Sequence, residues 1–125
     1  MPVTYSFAPG VLTLVADESA TAEDWTAAIH EATGSPEFHR GMAVLADARR
    51  MARIPSTRDV FVRVEFIAEL SKGGRISRWA LVTTEGVQFG MGRMAEAYAN
   101  AFPTPFRVFT SLDEARVWAA GRPAS

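Results

Sequence analysis

The sequence predicts an α/β domain of order β-β-α-β-α-β-α-β-α, a mixed sheet with parallel inner strands covered by helices. Two observations carry this. After an opening pair of β-prone runs, short apolar runs alternate with longer stretches of helical period. Capping residues stand just before three of those stretches, at Thr21–Asp24, Ser56–Asp59 and Ser111–Glu114. Alternation of strand and helix requires crossover connections, and these make neighbouring strands parallel.

Val3 to Phe7 and Val11 to Val15 are β-prone and separated by Pro9-Gly10, which predicts a hairpin. Trp25, Ala28, Ile29 and Ala32 then fall at i, i+3, i+4, i+7, one face of a first helix that Gly34 and Pro36 end. Met42 to Ala46 reads as a buried strand. Pro55 and Ser56 open a second helix, which Gly73-Gly74 closes. Trp79 to Thr83 is the next strand. A third helix is expected from about 87 to 101, stopped by Pro103, with Val87, Met91, Met94, Tyr98 and Phe102 as its core stripe. Phe106 to Phe109 is the last strand, and a short helix follows to about Ala120.

A chain of 125 residues suits one domain spanning 1–125, large enough to fold around its own core. Fourteen acids against thirteen bases leave no global field for nucleic acid or an anionic membrane. The absence of cysteine excludes disulfides, thiolate metal sites and thiol nucleophiles. No stretch approaches the ~20 apolar residues of a membrane span. The first residues also lack the basic and apolar regions of a signal peptide. The expected location is therefore the cytoplasm.

Several stretches resemble the SpoIIAA-like proteins of the STAS/CRAL-TRIO superfamily. They are Gly10-Val11-Leu12-Thr13-Leu14, Val44-Leu45-Ala46-Asp47-Ala48-Arg49 and Phe89-Gly90-Met91-Gly92-Arg93-Met94. Val108-Phe109, Leu112-Asp113-Glu114-Ala115 and Trp118 complete the set, so the resemblance spans nearly the whole chain. It implies a regulatory or ligand-carrying domain. Relatives in the wider superfamily act as anti-sigma-factor antagonists, as regulatory domains of transporters or as carriers of small apolar ligands. The antagonists are phosphorylated on a Ser in an Asp-Ser-Ser-Gly context at the start of the second helix. The corresponding place here reads Ile54-Pro55-Ser56-Thr57, which keeps the hydroxyls of Ser56 and Thr57 but neither flanking residue.

Three surfaces exceed what a core requires. Eight of the eleven residues from Val60 to Leu70 are apolar. At about 100° per residue, Val60, Phe61, Val64, Ile67 and Ala68 share one face, while Val62, Phe66 and Leu70 fall opposite. That second stripe should meet a neighbouring helix, a second copy in a homodimer or an apolar ligand. On the third helix Phe89 falls on the polar side, four residues from Arg93, where the two could stack. Met91 lies beside them in the motif. Finally, Arg49, Arg50, Arg53 and Arg58 follow a strand end with no intervening acid before Arg58. Strand carboxyl ends and helix N-termini both favour anions, so Asp47, Arg49, Ser56 and Thr57 are candidates for holding one.

No catalytic motif stands out. His30 and His39 are not paired at metal-ligand spacing, and neither a nucleophile elbow nor a P-loop is present. No cofactor is expected. The expectation is a non-enzymatic module for a small apolar or anionic ligand or a regulatory protein, working as a homodimer. The alternatives are a partner switch phosphorylated near Ser56, and an enzyme using Asp47, Arg49 and Arg93 on a small anionic substrate.

Overall fold

The computed structural model describes residues 2–121. The expectation of one domain over 1–125 therefore includes five positions outside the described residues. The elements are β1 (Val3–Ala8), β2 (Val11–Ala16), α1 (Ala22–Thr33), β3 (Met42–Asp47), α2 (Thr57–Leu70), β4 (Ile76–Val82), α3 (Val87–Ala99), β5 (Phe106–Phe109) and α4 (Leu112–Ala119). A short 3₁₀ turn, Lys72–Gly74, joins α2 to β4.

The five strands lie in sequence order, β1-β2-β3-β4-β5. β1 and β2 are antiparallel around Pro9-Gly10, where Gly10 takes a φ of 77° that a side chain would resist. The other pairings are parallel. Strands that advance in one direction by right-handed crossovers must place their helices on one face. Thus α1, α2 and α3 share a face, while α4 follows the last strand and closes the other against β3, β4 and β5. The central strand β3 is buried along its whole length, as a strand covered on both faces must be.

The capping chemistry fixes the helix starts. Thr21 Oγ1 accepts the Asp24 N–H, and the Asp24 carboxylate accepts the Thr21 N–H in return. Ser56 and Asp59 repeat this exchange at α2. At α4 only one half forms, from the Glu114 N–H to Ser111 Oγ. All four expected residues of the α1 face are buried.

The expected core stripe of α3 needs correction. Val87 is 65% exposed, and the fully buried positions are Gly92, Ala95 and Ala99. Met91, Met94, Tyr98 and Phe102 only flank them. The cause is close approach: a Cβ on Gly92 would stand 2.5 Å from Val108 Cγ2. Small residues therefore form the contact line, and the larger ones are turned aside toward α2. Strand β4 also begins three residues earlier than expected, at Ile76.

Candidate ligand-binding site

The second helix stands off the sheet. Its close backbone contacts are chiefly with α3, where Phe61 meets Tyr98 at 4.6 Å between ring centroids and the Tyr98 hydroxyl donates to Glu65 at 2.8 Å. Only Val60 and Val64 of this helix are fully buried. Between α2 and the sheet lies a cavity of about 120 Å³. Its walls carry Ala22, Ala46, Ala48, Ala80, Gly92 and Ala95, together with the larger Trp25, Met51, Phe66, Trp79, Met91 and Phe106. The space follows from the sequence of β3: the side chains on this face beneath α2 are Ala46 and Ala48, too short to reach the helix above them.

Met51 helps to close the cavity. The Trp25 indole N–H donates to its sulfur at 3.0 Å, and the Gln88 amide reaches its carbonyl at 3.4 Å. Ala22, Met51, Arg53, Pro55 and Arg63 also line a neighbouring, more polar cleft of about 300 Å³, which adds Glu23 and Asp59. This cleft lies beyond the carboxyl ends of β2 and β3, where open α/β sheets gather ligands. Arg63 stands between the two spaces. Its Nε is buried without a hydrogen-bond partner. Burial pushes the guanidinium below its ordinary pKa, and the charges of Asp59 and Glu23 act in the opposite direction. An unpaired buried donor on a charged group costs about 1–3 kcal/mol or more.

The expected site residues divide between places. Phe66 and Met91 line the cavity. Phe66 also meets the His30 ring edge-on at 5.3 Å, and Leu70 joins the core beside it, so most of the second stripe is covered within the chain. Val62 alone of the three is exposed, at 57%. The anomaly arose because α2 sits in a groove between α1 and α3 and has two covered flanks rather than one.

Asp47 and Arg49 lie elsewhere. Asp47 alternates with Ala46 and Ala48, so its side chain shares the α4 face with Ala43 and Leu45. It accepts Arg49 Nε at 2.9 Å, Nη2 at 2.8 Å and the backbone N–H at 3.1 Å. Burial pushes its carboxyl up, but those bonds and the charges of Arg49 and Arg116 outweigh it and hold the pKa below the usual value. Arg50 pairs with Glu18 at 3.1 Å, so the arginine cluster is divided rather than pooled. Ser56 caps α2, and Thr57 is exposed on its first turn. The expected Arg93–Phe89 stack does not form. Arg93 turns instead toward Glu96 at 3.9 Å, while Phe89 is half-buried.

No family model and no curated protein matches the chain. A solved structure does: an uncharacterized protein of the DUF3478 family with a SpoIIAA-like fold, from Shewanella loihica PV-4. It aligns with a TM-score of 0.58 over 94% of this chain and 91% of that one, at 16% identity. The chain has a SpoIIAA-like fold. Within this SpoIIAA-like architecture the cavity is bounded by the three helices of one face, and the Asp47–Arg49 pair belongs to the other.

Trp25, Met51, Arg63 and Trp79 escaped the sequence reading of the site. For Arg63 a signal existed. It lies about 60° from Val60 and 40° from Ile67 around the helix, inside the apolar stripe, where a charged residue needs a reason. The tryptophans gave no comparable signal, since a large aromatic on a core face is ordinary. Among the described residues no three His, Asp or Glu side chains cluster as metal ligands, and no helix is long and apolar enough to cross a membrane.

Proposed function

We propose that this protein is a binding module for a small ligand with an apolar body, held in the cavity beneath α2. The cavity itself carries the reading. Its walls are chiefly apolar, and each Å² of apolar wall left facing water forgoes about 25 cal/mol of burial. Both Ala46 and Ala95 line the space, where a larger side chain would enter it. A ligand that fills the space recovers that energy, and a space of this size suits one aromatic ring or a short acyl chain. The reading assigns no chemical step to the chain: Asp47 and Arg49 face α4, while Arg93 is on α3. Phosphorylation at Ser56 ranks second, because that hydroxyl already serves the α2 cap.

Titration with benzyl alcohol tests the reading. Trp25 and Trp79 line the cavity, so their fluorescence should change saturably at one site per chain. Ala46→Ile and Ala95→Leu, which fill the space from opposite walls, should each abolish the response while the protein stays folded. An unsaturable response, or one unchanged in both variants, would refute it.

A further inference from the structure

We propose that the ligand carries an anionic head, a carboxylate or a phosphate monoester, and that Arg63 is the residue that pairs with it. The inference rests on the cavity being a ligand site, and it adds the ligand's polarity and orientation. Three observations converge on it.

Arg63 lines both the apolar cavity and the polar cleft, so a ligand whose body fills the first would place its head at the guanidinium. Its Nε is buried and unpartnered, so the guanidinium keeps a donor that the described residues do not match. Two carboxylates, Asp59 and Glu23, also line the cleft and act on the Arg63 charge, yet neither pairs with its Nε. Asp59 accepts the Ser56 backbone N–H at 3.2 Å to close the capping box, and that bond, with the Ser56 side chain, holds its carboxyl below the usual pKa. Arg53, which also faces both spaces, adds a second positive charge at the same mouth. The apolar walls lower the local dielectric, so a charge-assisted pair here is stronger than on an open surface. Planar guanidinium suits both carboxylate and phosphate oxygens.

The test compares three probes with the same ring: benzyl alcohol, benzoate and phenyl phosphate, titrated calorimetrically at neutral pH. The wild type should bind one or both anions about tenfold or more tighter than benzyl alcohol. Which anion is tighter tells carboxylate from phosphate. Arg63→Met should abolish that preference, bringing the ratio of anion to benzyl alcohol affinity to about one, with circular dichroism showing that the variant is folded. Should Arg63→Met not fold, Arg63→Lys replaces it and should keep part of the preference, with a point charge in place of the fork. If benzyl alcohol binds and neither anion gains, or if the preference survives in Arg63→Met, the anionic head is wrong and the cavity reading stands. If no probe binds, the cavity reading falls and takes this inference with it.

Discussion

The indole N–H of Trp25 points at the sulfur of Met51, 3.0 Å away, and this contact ties α1 to the segment that follows β3. Both residues line the cavity, and Met51 also lines the cleft outside it. Met51→Leu keeps the volume and removes the acceptor. It should lower stability by only about 1 kcal/mol. The clearer effect should be on the mouth: a bound probe should leave several times faster, as read by stopped-flow fluorescence. An unchanged dissociation rate would show that this contact does not guard the cavity.

Two glycines two residues apart in their motif should respond with opposite sign. Gly90 has open space where a Cβ would go, so Gly90→Ala should stabilise the protein by up to about 1 kcal/mol through helix propensity. Gly92 faces Val108, and a Cβ there would meet it at 2.5 Å. Gly92→Ala should therefore destabilise by about 1–3 kcal/mol despite the same propensity gain. Urea denaturation of the two variants measures both.

The stripe Val62, Phe66, Leu70 should divide in the same kind of experiment. Phe66→Ala removes a ring packed on His30 and the core, and should cost about 2–3 kcal/mol. Val62→Ala, at an exposed position, should stay within about 0.5 kcal/mol. Equal losses would mean that the helix is rotated from the orientation described.

The Asp47–Arg49 pair makes a prediction about pH. The folded carboxyl titrates below its ordinary value because the bonds from Arg49 outweigh the opposing effect of burial. Its contribution is therefore complete above the unfolded pKa of about 3.9 and is lost as pH falls through the folded value. Asp47→Asn should cost about 1–2 kcal/mol near pH 7. That penalty should shrink toward zero as both proteins are acidified below about pH 4. A penalty of constant size from pH 7 to pH 3 would contradict the pairing.

Local chemistry made the helix starts and the alternation of strand and helix readable in advance. Thr21 with Asp24 and Ser56 with Asp59 satisfy orphan backbone groups within four residues, so nothing distant is needed to interpret them. The site was harder because its determinants are distant in sequence. Ala46 and Ala48 look like ordinary strand residues until β3 is known to pass beneath α2. Val87 looked like core because it continues the helical stripe, but the approach fixed by Gly92 and Val108 turns it outward. Phe66 stands out in the sequence as part of a second apolar stripe, yet whether it faces a helix, another copy or a ligand depends on where α1 lies. Arg63 was the one local clue to the cavity, a charge set within an apolar stripe.

A crystal of the protein soaked in bromobenzene tests the central claim most directly, because anomalous scattering from bromine locates the ring without reference to a model of its surroundings. A bromine site is expected beneath α2, among Trp25, Phe66, Trp79 and Met91. Bromine found only on the outer surface or against α4, with the space beneath α2 closed by these side chains, would contradict it.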